Sequence, residues 1–161
     1  MAREFIKAIK KGDIEEVRAF EGKGYDLTET TEKEGWNYLH RALLMPTLVA
    51  PPDMVRYLID RGVDANAVDV YGNTPLYYAV RSKASGAVSV LVDAGVDVNH
   101  LNKDGISPLR ESLIRKPFDH ESIRLLLEAG ADPEQKKEDG ITVREFAERR
   151  DESLAELFKE N

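Results

Sequence analysis

The residues of this chain that could do chemistry are His40, His100 and His120, its many carboxylates, and a lysine set between glycines in Gly22-Lys23-Gly24. A transition-metal site needs His, Cys or carboxylate ligands converging on one point. The three histidines fall in unrelated stretches, and the chain has no cysteine. That absence removes thiolate ligands, a Cys nucleophile and a disulfide framework together. Acid–base work needs an isolated carboxyl pair flanked by apolar residues. Glu15-Glu16, Glu145, Glu148 and Asp151-Glu152 read instead as solvated charge on helix faces. Gly22-Lys23-Gly24 lacks the Lys-Ser/Thr ending and the preceding strand of a phosphate loop. The short basic pairs Lys10-Lys11 and Arg149-Arg150 suit helix ends and are too few to line a nucleic-acid groove. No catalytic, cofactor-binding or metal-ligating residue is expected, and no cofactor.

The totals point the same way. Of 161 residues, 42% are hydrophobic and 33% charged, a globular chain with large solvent-facing sides. The formal net charge of −7 argues against nucleic acid as the main ligand and suits a soluble protein with a basic partner. No apolar run approaches a membrane span, and Met1-Ala2-Arg3-Glu4-Phe5-Ile6-Lys7 lacks the apolar stretch of a signal peptide, so a cytoplasmic protein is expected, monomeric when free.

With no chemistry to position, the elements themselves carry the information. The phrase Asp69-Val70-Tyr71-Gly72-Asn73-Thr74-Pro75-Leu76 returns as Asn102-Lys103-Asp104-Gly105-Ile106-Ser107-Pro108-Leu109. Fainter copies start at Gly35-Trp36-Asn37-Tyr38-Leu39-His40 and at Gly140-Ile141-Thr142-Val143. The glycines at 35, 72, 105 and 140 lie 37, 33 and 35 residues apart. A period in the thirties means a solenoid, which makes a long surface rather than a closed pocket.

Each unit reads as a helix pair. In the unit 69–101, Gly72 ends a tight turn, Thr74 is the N-cap and Pro75 the first helical residue. Leu76, Ala79 and Val80 share one face of the first helix, and Val88, Leu91 and Val92 one face of the second. Gly95 stops that helix, so Gly95→Ala should cost roughly 1 kcal/mol. The second-helix ending recurs as Val55, Leu58 and Ile59 before Gly62, and as Ile123, Leu126 and Leu127 before Gly130. A weaker copy is Ile14, Val17 and Phe20 before Gly22, and Leu154, Leu157 and Phe158 make a short final helix. About five units result, approximately 1–31, 32–68, 69–101, 102–136 and 137–161, forming a single domain over 1–161. The first and last units are expected to cap the stack, and the chain to be complete.

The phrase Gly-x-Thr-Pro-Leu, then a helix pair, then Gly-x-Asp-x-Asn resembles the ankyrin repeat. Gly72, Thr74-Pro75-Leu76, Ala79, Leu91, Gly95, Asp97, Val98 and Asn99 carry it best, and the likeness covers nearly the whole chain. The resemblance implies an all-α ankyrin-repeat solenoid of helix pairs with hairpin-like loops, whose first helices line a concave face. It also implies a protein-binding module. The family's His after Pro-Leu, which relays a hydrogen bond to the preceding Thr, survives only as His40; Tyr77, Arg110 and Glu145 replace it elsewhere, so that relay is expected to be broken. Thr142 and Glu145 can still form a capping box. The segment Pro46 to Pro52 is longer than the family's short turn, and Leu48 and Val49 in it either anchor a partner or fold down over the helix pair. Lys116-Pro117-Phe118-Asp119 is a smaller insertion.

Mapping the family's contact positions onto this chain implies a partner-binding set of Trp36, Arg41, Met45, Tyr71, Asn73, Tyr78, Arg81, Ile106, Glu111 and Arg115. Aromatics, Met and Arg are the residue types that dominate interface hot spots. The expectation centres on Trp36, Tyr71, Tyr78, Arg81 and Arg115. The functional reading is a non-enzymatic module that binds and inhibits one protein, a form of which is a bacterial toxin immunity protein. Its rival is a structural or regulatory subunit of a larger assembly, with an enzyme or small-molecule carrier the weakest.

Overall fold

The computed structural model describes residues 3–44 and 48–159. Among these the chain forms five consecutive helix pairs: α1 (Arg3–Lys11) with α2 (Ile14–Glu21), α3 (Tyr38–Leu43) with α4 (Pro52–Asp60), α5 (Pro75–Arg81) with α6 (Ser85–Asp93), α7 (Pro108–Glu111) with α8 (His120–Glu128), and α9 (Val143–Arg150) with α10 (Glu152–Lys159). The helices α1, α3, α5, α7 and α9 each pack on the next as one layer, and α4, α6, α8 and α10 do so as a second. This is the expected all-α solenoid.

The local chemistry follows the repeated phrase. Thr74 accepts a hydrogen bond from the Tyr77 N–H and Ser107 one from the Arg110 N–H, each with proline at the first helical position. Thr142 and Glu145 form the anticipated capping box, and Asn37 and His40 form another. Gly95 follows α6 at φ +76°, the left-handed conformation its place past the helix end requires. Of the apolar positions read from the 3.6-residue period, Leu76, Ala79, Val88, Leu91, Ile123 and Leu126 are buried in one continuous core, and Ile14, Phe20, Ile59, Val92 and Leu157 are half-buried against it. Burying a side chain such as Leu91 contributes roughly 1.5–3 kcal/mol, and stacking lets each short helix share that gain with its neighbours.

The relay to the preceding Thr or Ser is absent at Tyr77 and Arg110, as expected, and their side chains reach other partners. The residue after Pro-Leu still ties each unit to the next, with different chemistry each time. His40 donates through Nε2 to the Asn73 carbonyl (3.1 Å). Tyr77 donates its hydroxyl to Glu111 (2.9 Å). Arg110 reaches the Ile141 carbonyl (3.0 Å) and Asp139 (3.1 Å). The position points along the stack, so any side chain long enough to carry a donor across can serve.

The loop before α4 divides. Ala50 is buried and its N–H donates to the Ala42 carbonyl (2.9 Å), and Val49 packs on the core, whereas Leu48 stands 61% exposed. The N-terminal pair closes with an aromatic cluster in which Phe5 meets Phe20, Tyr25 and Tyr38 at centroid distances of 5.0–5.1 Å.

Candidate partner-binding groove

The hairpin tips are built from short side chains and completed between units. Asp69 is buried and accepts four hydrogen bonds. Its Oδ1 takes the N–H groups of Tyr71 and Asn73, both at 2.9 Å. Its Oδ2 takes the Trp36 indole N–H (2.9 Å) and the Tyr78 hydroxyl (2.6 Å). Asn102 repeats the first half of this pattern with the N–H groups of Asp104 and Ile106. Successive tips join through their backbones, Val70 N–H to the Glu34 carbonyl (2.9 Å) and Lys103 N–H to the Tyr71 carbonyl (3.1 Å). Gly72 sits where the next tip's backbone comes close: a Cβ there would lie 2.8 Å from the Lys103 nitrogen. The tip is thereby held rigid, and it presents Tyr71 at 56% exposure.

Between these tips and the C-terminal ends of α5 and α7 lies a groove of about 810 Å³. Tyr71 and Asn102 stand at the tip side, Tyr77 and Tyr78 line the middle, and Arg81 and Arg115 stand at the helix ends. Tyr77 and Tyr78 meet edge to face at 5.8 Å. Burial, followed by the hydrogen bond to Asp69, pushes the Tyr78 hydroxyl up to about 12, and burial with the neighbouring Glu111 raises Tyr77 as well. Both hydroxyls are therefore fixed donors at neutral pH. The groove floor is aromatic, preorganised and protonated, and the charge is at its rim.

The structure brings five of the expected contact residues to this groove: Tyr71, Asn73, Tyr78, Arg81 and Arg115. Tyr71, Arg81 and Arg115 are exposed there. Tyr78 and Asn73 are buried in its floor, Asn73 between the Tyr78 hydroxyl (3.2 Å) and the Asn102 amide (3.0 Å). Glu111 lies buried behind the rim, holding Tyr77 and, at 3.5 Å, Arg115. Trp36, Arg41 and Ile106 lie outside it. Trp36 is half-buried with its indole committed to Asp69, Arg41 lies over the Tyr38 ring at 5.8 Å, and Ile106 packs against the core. Met45 lies outside the described residues. The sequence mapping missed Tyr77, Lys83, Asn102 and Lys116. Lys116 opens the insertion already visible in the sequence, but only the stacking of α5 on α7 shows that Lys83 and Lys116 share one rim.

A family model described as ankyrin repeats, in three copies, matches residues 5–102 and 50–137. The chain belongs to the ankyrin-repeat family. Ankyrin repeats are protein–protein interaction modules, generally without catalytic activity. A curated relative, a putative ankyrin repeat protein of Rickettsia bellii, is 35% identical over 86 residues, which is 53% of this chain and 45% of that protein. The ankyrin chain thus spans about half the length of the relative it matches. Among the described residues no helix is long and apolar enough to cross a membrane, and no group of three or more His, Cys, Asp or Glu is placed to hold a metal ion.

Proposed function

We propose that this ankyrin chain seats a segment of one partner protein in the groove between its tips and the ends of α5 and α7, and blocks that partner by occupying it. The observation that carries this reading is the exposed Tyr71 on a tip locked by backbone hydrogen bonds, facing Arg81 and Arg115 across a tyrosine floor. Rigid aromatics beside arginines lose little entropy on binding, which is why such residues concentrate binding energy. The remaining mapped positions, Trp36, Arg41 and Ile106, extend the contact along the stack in this reading.

The test compares affinity capture by the tagged wild-type chain with capture by a Tyr71→Ala, Arg81→Ala variant, whose replaced side chains are exposed and whose fold is checked by circular dichroism. A stoichiometric partner retained by wild type and lost by the variant supports the groove; a partner kept by both refutes it. Adding the purified chain to an activity assay of that partner then reports blocking directly. Small size and net acidity favour the narrower reading, in which the partner is a toxin that the chain neutralises; co-expression that leaves toxicity unchanged removes it. Exposed Val68, Val70 and Leu101 near the tips favour a second reading, a subunit of a stable assembly, which predicts obligate co-purification.

A further inference from the structure

The net charge of the chain is −7, yet cations gather at the C-terminal ends of the first-layer helices. All five helices of the first layer carry cations in the last turn: Lys10 and Lys11 in α1, Arg41 in α3, Arg81 in α5, Arg110 in α7, Arg149 and Arg150 in α9. After the short α7 the chain supplies Arg115 and Lys116 at the same rim. In the second layer α4, α6 and α8 have no basic residue in the last turn and end on Asp60, Asp93 and Glu128, whereas α10 ends on Lys159. A helix C-terminus favours cations in either layer, so the dipole alone accounts for the first set and not for the second. At the groove this places Arg81, Lys83, Arg115 and Lys116 among the lining residues.

Within the groove the cations are unequal. Arg115 is tethered to Glu111 (3.5 Å) and Lys116 to Asp151 (3.1 Å). Arg81 and Lys83 have no ion pair among the described residues, and both are exposed. The carboxylate lining the groove belongs to Asp104, on the tip side, and the seven-residue α5 separates the tip end from the cation end by about 10 Å. Glu111 and Asp119 share a small adjoining pocket with Arg81 and Lys83, but Glu111 is taken by Tyr77 and Arg115 and Asp119 by its cap on Ser122. The cations of the groove lining therefore outnumber its carboxylate and favour an anion from outside.

Resting on the groove reading above, we infer that the bound partner segment is acidic: an extended peptide whose carboxylates meet Arg81 and Lys83 while an apolar or aromatic side chain stacks beside Tyr71. A partner that is basic overall, as the net charge of the chain suggests, fits only if its docking segment is locally acidic.

The experiment is selection of a random dodecapeptide display library on the full chain, followed by affinity measurement of the enriched peptides by fluorescence anisotropy. Three proteins are compared: wild type, the charge reversal Arg81→Glu with Lys83→Glu, and Tyr71→Ala. Arg115 is left in place because reversing it would set two carboxylates against each other at buried Glu111. Melting curves verify that each variant folds. The expected result is enrichment of net-acidic peptides whose affinity falls at least tenfold in the charge reversal and several-fold between low and physiological salt. Enriched peptides that are neutral or basic, or that keep their affinity on the charge reversal, overturn the acidic assignment. If those peptides still lose affinity on Tyr71→Ala the groove reading survives, and if they do not it falls too. A library that yields no binder overturns both. A short single-stranded oligonucleotide that binds as tightly as the enriched peptides replaces the acidic protein segment with a nucleic acid.

Discussion

Asp69 joins two ankyrin units through four accepted hydrogen bonds, and removing it should be among the most costly single changes in the molecule. In Asp69→Ala the donors of Tyr71, Asn73, Trp36 and Tyr78 lose their acceptor at once. The Tyr71 N–H and the half-buried Trp36 indole can turn to water. The Asn73 N–H and the Tyr78 hydroxyl lie in buried surroundings and cannot. A buried donor left without a partner costs about 1–3 kcal/mol, so the expected loss is about 3–5 kcal/mol, or about 10 °C in Tm for a chain of this size. Asp69→Asn separates the parts. It keeps an oxygen for the two backbone N–H groups, and its amide can donate to the Tyr78 oxygen. It then faces the Trp36 indole with a donor, so the expected loss is about 1–2 kcal/mol. Urea unfolding followed by tryptophan fluorescence measures both, Trp36 being the chain's single tryptophan. An Asp69→Ala variant within 1 kcal/mol of wild type at unchanged m-value, or an Asn variant as damaged as the Ala one, refutes the account of the tip as a shared hydrogen-bond hub.

The two turn glycines should respond unequally to alanine. Gly95→Ala meets only backbone strain at φ +76° in open space and should lose about 1 kcal/mol, whereas Gly72→Ala adds a collision with the Lys103 and Asn102 backbone and should lose about 3 kcal/mol. Equal melting temperatures would contradict this. The Tyr38 hydroxyl is buried with no hydrogen-bond partner among the described residues, and burial raises it to about 12. Tyr38→Phe should therefore stabilise the chain by about 1 kcal/mol in urea unfolding, and any destabilisation would point to a partner for that oxygen. His40 carries a pH dependence. Burial lowers it below its ordinary 6.5, against the opposing pull of the Asn73 carbonyl and Asp69, and a proton on Nδ1 would oppose the Asn37 N–H that it accepts. Above pH 6.5 both folded and unfolded states are neutral. As pH falls through 6.5 the unfolded chain takes up a proton that the folded chain refuses, so stability declines, by at most about 1.4 kcal/mol per pH unit. Between pH 6.5 and about 5, above the carboxylate range, His40→Gln should remove this slope whatever its effect on the maximum, and a slope that persisted would exclude His40 as its source.

How much of this was legible in the sequence differs by kind of residue. Thr74-Pro75, Ser107-Pro108 and Thr142 with Glu145 announced helix starts, because a cap bonds to a backbone only three residues away. Gly95 announced a helix end for an equally local reason. The apolar positions of each unit were readable from the 3.6-residue period, since one helix face must be covered whatever covers it. Recurrence of these signals near every 35 residues was enough to declare a stack and to exclude a deep catalytic pocket as its natural product.

Contacts that reach across units were not legible in the sequence. Trp36 and Tyr78 looked like open contact residues, but both are claimed by Asp69, and Trp36 is 33 positions away from it in the chain. Tyr77 and Arg110 lack the histidine relay, as expected, but local sequence does not show that each binds a neighbour about one repeat further on. Lys83 and Lys116 lie in separate turns with nothing in their local sequence to join them. The fold, the helix limits and the buried faces were determined by the sequence alone, because hydrogen bonding and amphipathicity act within a few residues. Which aromatics are free, which charges are paired and where positive potential collects inside an acidic chain were decided only by the tertiary stack, because those properties belong to pairs of side chains brought together from different repeats.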